Sequence, residues 1–184
     1  MINVQTFTYR QFPEIYKWQV LSFMKVEWPF IFSGQYQFSE ETYPPEQNPI
    51  HFVLSQGDAL ISHAEIIKMK LIHAETEYLV YGLGNVFTFP PYRRNGYGQE
   101  VVKAGTAHIS QSDVDVAILF CDPSMKTFYE KAGWEGLSSA STRIGKPEES
   151  EENDGLRMML FLSEKGKAGH STFVKQPLYI DNPW

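Results

Sequence analysis

The sequence predicts an α/β domain with a mixed, largely antiparallel central sheet flanked by helices, and three observations lead there. Several segments alternate apolar and polar residues with a period of two and are bounded by turn residues, as half-buried strands are. Apolar stripes at helical spacing stand before and after these segments. The nearly continuous apolar run from Val114 to Cys121 has the length of a strand covered on both faces. A length of 184 residues suits one domain with a sizeable core, so a single domain is expected over residues 1–184.

From Asn3 to Arg10, Val4, Thr6 and Thr8 alternate with Gln5, Phe7 and Tyr9, which favours a strand. Pro13 opens a helix that carries Ile15, Trp18, Leu21, Phe23 and Met24 on its stripe and stops before Pro29. Phe30 to Pro49 is aromatic and punctuated by proline, and is expected to form a long substrate-facing loop. His51 to Gln56 and Ala59 to Lys70 read as a hairpin turning at Gly57 and Asp58, and Glu77 to Phe89 adds a third neighbouring strand. Gly96 to Ser110 reads as a helix, followed by the buried strand ending at Cys121. Asp122 caps and Pro123 opens a helix over Ser124 to Ala132, which Gly133 stops. The acidic stretch at about 147–154 is expected to be a solvated loop, because its carboxylates repel one another. Leu156 to Leu162 supplies a last core strand. Residues 163–184 read as a C-terminal tail whose Trp184 folds back onto the domain, since tryptophan is costly to leave in water.

Composition narrows the function. With 42% apolar and 15% aromatic residues the chain is a folded protein rather than a disordered one. A formal charge of -6 argues against general nucleic-acid binding, which rests on lysine and arginine. A lone cysteine, Cys121, excludes an internal disulfide and fits a reducing compartment. No apolar run approaches the roughly 20 residues of a membrane span, and no leading signal pattern is visible, so a cytoplasmic location without membrane association is expected. The five histidines show no helix-borne pair and no zinc-finger spacing, so no metal site is expected.

The most telling segment runs from Phe87 through Thr88, two prolines and Tyr92 into Arg93, Arg94, Asn95, Gly96, Tyr97, Gly98 and Gln99. A strand that stops at prolines, enters a basic glycine turn and opens a helix makes an anion cradle. Glycines let a diphosphate approach the main chain, and amides from Arg94 to Gln99 can point at its oxygens at the positive end of the helix dipole. The competing reading is an ordinary surface turn.

Pro90, Tyr92, Arg93, Gly96 and Gly98 resemble the Arg/Gln-x-x-Gly-x-Gly/Ala acetyl-CoA motif of the GNAT (GCN5-related) N-acetyltransferases. Asp122 through Trp134 is similar to that family's Asn-x-x-Ala-x-x-x-Tyr-x-x-x-Gly-Phe segment, and the element order fits over most of residues 1–162. The resemblance implies a GNAT-like acyl-CoA N-acyltransferase fold and acetyl-CoA as cosubstrate, lying where the strand ending near Phe89 diverges from the one ending near Cys121. It implies that amides of Arg93 to Gln99 hold the pyrophosphate, that main-chain atoms near Phe87 and Thr88 pair with the pantetheine arm, and that Asp122 contacts pantetheine. It also makes Tyr129 the acid that protonates the departing thiolate. A phenol with pKa near 10 is protonated at neutral pH, while a thiolate gains basicity as it leaves.

The chain departs from the family pattern at Asp122, where asparagine is usual, and at Met125, where alanine is usual. An ionised Asp122 accepts hydrogen bonds but donates none. The strand before the turn lacks the glutamate that often takes the amine's proton, leaving Glu27, Glu65 and Asp122 as candidates and none assigned. Leu119 to Pro123, Phe128 to Trp134 and the closing Pro183 and Trp184 further resemble the branch containing aminoglycoside 2'-N-acetyltransferases and nodulation N-acyltransferases, which implies a small polar amine as acceptor. Two alternatives stay open: a GNAT-like module that binds acyl-CoA or a protein without turnover, and a turn that binds another nucleotide.

Overall fold

The computed structural model describes residues 3–139 and 141–181. Strand β1 (Gln5–Thr8) is shorter than its alternating pattern, because residues 9–11 close into a 3-10 turn. Helix α1 (Glu14–Glu27) follows Pro13 as expected, and the segment to residue 49 contains three single 3-10 turns. Strands β2 (Ile50–Gln56) and β3 (Ala59–His73) pair antiparallel around the Gly57 turn. Ala74 and Glu75, both left-handed, make a tight connection to β4 (Thr76–Thr88). Helix α2 (Tyr97–Ser110), strand β5 (Val116–Cys121) and helix α3 (Lys126–Glu130) come next. Then come β6 (Glu135–Gly136), β7 (Thr142–Ile144), β8 (Glu151–Glu152), β9 (Leu156–Phe161), helix α4 (Glu164–Lys175) and β10 (Leu178–Ile180). One sheet runs in the order β1-β2-β3-β4-β5-β9-β6, and a smaller one in the order β10-β7-β8. Strand β4 with β5 and β10 with β7 pair parallel, whereas β1 with β2, β2 with β3, β5 with β9, β6 with β9 and β7 with β8 pair antiparallel, so the sheets are mixed and largely antiparallel.

Three expectations are corrected. The helix expected over residues 124–132 is one short turn of α-helix, because Pro123 behind the Asp122 cap starts a 3-10 turn first. The acidic stretch is exposed, yet Glu151 and Glu152 form an edge strand on β7, where Arg143 donates to the Ser150 hydroxyl and carbonyl at 2.7 Å each. Most of the supposed tail is α4 and β10; Ser163 caps α4 by accepting from the Gly166 N–H at 3.0 Å. The expectation for Trp184 lies outside the described residues.

Packing gathers the chain into two compact units, the described parts of Met1–Ile67 with Asn85–Gly105 and of Lys68–Gly84 with Thr106–Trp184. In the first, α1 lays Tyr16, Val20, Phe23 and Met24 on Val53, Leu60 and Phe87. The Phe23 and Phe87 rings stack with centroids 4.1 Å apart. Each such side chain contributes about 1.5–3 kcal/mol by leaving water. In the second, Tyr78, Val80, Val116, Ile118, Met159 and Phe173 form the core.

Asp115 ties the second unit's helix to its strands by accepting from the Leu79 N–H at 2.9 Å, the Ser163 hydroxyl at 2.7 Å and Lys165 Nζ at 2.6 Å. Burial opposes its ionisation, but the bonds from Lys165, Ser163 and Leu79 prevail and hold its pKa below the ordinary 3.8. A carboxyl lowered by folding contributes stability that is fully present above its unfolded pKa and lost as pH falls through the folded one. Asp115→Asn is therefore expected to unfold at lower urea concentration than wild type at about pH 7, with the gap closing below about pH 4. A gap that persists unchanged in acid would contradict this origin.

Candidate active site

At the end of β4 the backbone is held on both sides. Ser62 Oγ donates to the Phe87 carbonyl at 2.8 Å and lies 2.9 Å from Thr88 Oγ1, and Arg93 Nε donates to the Thr88 carbonyl at 3.0 Å. The main chain here is where pairing with pantetheine is expected, and each of these two carbonyls accepts a side-chain hydrogen bond. Pro90–Tyr92 form a 3-10 turn, after which Arg94 (φ 66°) and Gly96 (φ 83°) are left-handed. Asn95 Nδ2 locks the turn from within by donating to the carbonyls of Tyr92 (3.1 Å) and Arg93 (3.2 Å). Helix α2 begins at Tyr97, and the Glu100 N–H reaches back to the Gly96 carbonyl at 3.2 Å. The amides of Tyr97 and Gly98 precede that bond, and with Gln99 they make up the first turn, where the helix dipole favours an anion. A Cβ on Gly96 would meet no atom within 4 Å, so the space beside the turn is open.

The second motif lies wholly in the second unit. Asp122 Oδ1 accepts from the Ser124 N–H at 2.8 Å, and that bond holds its pKa below the carboxylate norm. Its role in the structure is to cap the turn. Met125 is 39% exposed. Gly133 (φ 91°) stops the segment, and Trp134, 2% exposed, donates through Nε1 to Thr106 Oγ1 at 2.9 Å. Tyr129 is 7% exposed, with its ring against the edge of Phe128. Burial first, then the neighbouring Cys121, pushes its pKa well above 10. No hydrogen bond engages its hydroxyl among the described residues. The Cys121 thiol is half-buried and raised to about 11 by burial and by Asp122, as fits an unreactive thiol.

The first unit also holds a cluster that sequence reasoning did not assemble. His51 on β2 stands opposite Glu65 on β3, and Val53 opposite His63. His51 is 2% exposed, and His63 and Glu65 are 0%. His63 Nδ1 lies 2.9 Å from the Asn85 carbonyl, which can only accept, so Nδ1 carries the proton. Its Nε2 then accepts from His51 Nδ1 at 3.2 Å. Glu65 accepts from Thr42 Oγ1 at 2.6 Å and Asn85 Nδ2 at 3.0 Å. Burial, with His63, lowers the His51 pKa to about 2; burial lowers that of His63 to about 4 against the pull of the Asn85 carbonyl. Burial raises Glu65 to about 7 despite its two donors. Phe12 stacks on His51 with centroids 3.7 Å apart. His51 and Thr42 border a cavity of about 270 Å³ together with Tyr9, Arg10, Lys17 and Glu41. The two-residue spacing of His63 and Glu65 within a strand was the available signal; the contribution of His51 depends on strand register. Of the three carboxylates weighed as proton acceptors, Glu27 is exposed at the end of α1, Asp122 is a cap, and Glu65 has both oxygens engaged out of reach of solvent.

Among the described residues no helix is long and apolar enough to cross a membrane. The chain resembles ElaA of Escherichia coli with 16% identity and a TM-score of 0.59, covering 86% of this chain and 99% of that one. An acyl-CoA N-acyltransferase from Pseudomonas aeruginosa aligns with 10% identity and a TM-score of 0.57 over 86% of this chain and 99% of its own. A probable N-acyltransferase from Enterococcus faecalis V583 matches 74% of this chain at 16% identity and a TM-score of 0.52, and the chain spans only 32% of that protein's length. At such identities these likenesses establish a shared fold. No curated protein matches the chain. The sequence profile of the acetyltransferase (GNAT) domain matches residues 3–137, well over half the chain, and the chain belongs to the GNAT acetyltransferase family.

Proposed function

We propose that this chain is an N-acetyltransferase that moves an acetyl group from acetyl-CoA directly to a primary amine of a small molecule. The family profile over residues 3–137 carries this reading, and the left-handed turn ahead of α2 supports it. In it, amides of Arg93 to Gln99 hold the diphosphate, Phe87 and Thr88 align pantetheine, and Tyr129 gives its proton to the departing thiolate. Asp122 supports the second motif as a cap. The neutral fraction of the amine attacks the thioester, and its proton passes to water. The acceptor class follows from the likeness to aminoglycoside 2'-N-acetyltransferases: a small polar amine, drawn by a chain of net charge -6.

Thiol release from acetyl-CoA against a panel of amines, alongside calorimetric CoA binding, tests the reading. Turnover with at least one amine is expected. Tight CoA binding without turnover for any amine would favour the binding module, a reading that Asn85 near the family's usual glutamate position keeps in view. Binding of ATP or NAD, with CoA not bound, would overturn both. Gly96→Ala has room for its methyl but forces an L-residue to φ 83°, a strain of about 1–2 kcal/mol. It is expected to lower stability by about that strain and to weaken CoA binding about tenfold. Unaltered affinity would remove the turn from the cofactor site.

A further inference from the structure

We propose that His51, His63 and Glu65 form a binding site for one zinc ion, with a fourth coordination position toward the cavity that His51 and Thr42 border. The ligand atoms of the three residues lie within 4.8 Å of one another. Zinc holds nitrogen and carboxylate oxygen at about 2.0–2.2 Å, so two ligands of a tetrahedral site stand about 3.3–3.4 Å apart. Here His51 Nδ1 is 3.2 Å from His63 Nε2 and 3.6 Å from Glu65 Oε1. These two match edges of such a tetrahedron within a few tenths of an ångström, and the third, between His63 and Glu65, lies within 4.8 Å.

The surroundings are those of a ligand set. His63 is fixed by Nδ1–H on the Asn85 carbonyl, which presents the lone pair of Nε2 inward. Glu65 is oriented by Thr42 on one oxygen and the Asn85 side chain on the other, and each oxygen keeps a second lone pair. His51 is clamped flat beneath Phe12 and needs only to exchange one neutral tautomer for the other to free Nδ1. No lysine or arginine among the described residues lies within ion-pair distance of Glu65, so a bound cation would be the charge that this fully buried carboxylate otherwise lacks. Two imidazoles and one carboxylate suit zinc; calcium and magnesium take oxygen sets.

Chelator-treated full-length protein, titrated with Co²⁺ as a visible probe, is expected to bind one ion per chain with the intense bands of a tetrahedral site, displaced by Zn²⁺. Glu65→Gln and His63→Gln conserve volume and are expected to abolish the spectrum, with metal-free far-UV circular dichroism unchanged. Asn85→Gly, which suits the left-handed backbone, is expected to weaken binding about 10–100-fold by freeing Glu65. A folded wild type that binds neither ion, an octahedral spectrum, or binding indifferent to both Glu65→Gln and Asn85→Gly would overturn the site and leave a proton-sharing network.

Discussion

Tyr129→Phe is expected to lower kcat by about 10²–10⁴-fold while CoA affinity stays as in wild type. The substitution removes one hydroxyl that has no partner among the described residues and keeps the ring, its contact with Phe128 and its burial. Lost activity would therefore report a lost proton rather than a lost fold. Burial and the nearby Cys121 raise this phenol's pKa. The same loss of water raises the basicity of a thiolate expelled beside it, so the transfer is not made prohibitive. The raised value also predicts a kcat that does not fall on the alkaline side up to at least the ordinary tyrosine value of 10, because the donor stays protonated. Equal kcat in the variant, or an alkaline limb near neutrality that the variant abolishes, would take the acid role from Tyr129.

Gly166→Ala is expected to destabilise the protein by about 1–3 kcal/mol or more, against the usual gain of about 1 kcal/mol for alanine over glycine inside a helix. A Cβ at Gly166 would overlap the carbonyl oxygen of Asp115 and come within 3.1 Å of Val116. That carbonyl is not free to move. It accepts the N–H groups of Leu162 (2.9 Å) and Ser163 (3.3 Å), and its own side chain is tied to Leu79, Ser163 and Lys165. Relief would mean lifting α4 from β5. Urea and thermal unfolding measure the effect, at about 2–4 °C of Tm for each kcal/mol. A variant as stable as wild type would mean that α4 does not sit this close to Asp115. Gly169 provides a graded comparison, because its added methyl would strike the Tyr78 hydroxyl, the end of a side chain rather than main chain.

Strands β1 to β5 and β9 and the first two helices were legible because their signals are local. Gly57 with Asp58 marks a turn in any context, and Pro13, Pro29 and Pro90 punctuate by ring geometry alone. Helix α4 was hidden by its own composition: Gly166 and Gly169 each lower helix propensity by about 1 kcal/mol, and few large apolar residues mark a stripe. Both glycines are there for the close approach to Asp115 and Tyr78, which no local rule reveals. Tyr129 and the turn at Arg94 to Gly96 were singled out by the family resemblance, and their roles belong to the proposal. The grouping of His51, His63 and Glu65 could not be singled out in the sequence, because it needs the register that sets His51 opposite Glu65. The acidic run misled in part for a related reason: repulsion among glutamates predicts exposure correctly but is silent about Arg143, which orders the neighbouring backbone.

The positive φ of Asn85 divides β4 in a way that bears on how the protein can change. A single inverted residue in a pleated strand breaks the strict up-and-down bookkeeping of side chains, so Tyr78 and Val80 answer to one interior while Phe87 answers to another. Removing or adding one residue between Asn85 and Phe87 would turn Phe87 away from the face on which it stacks with Phe23 and leave Tyr78 and Val80 in place.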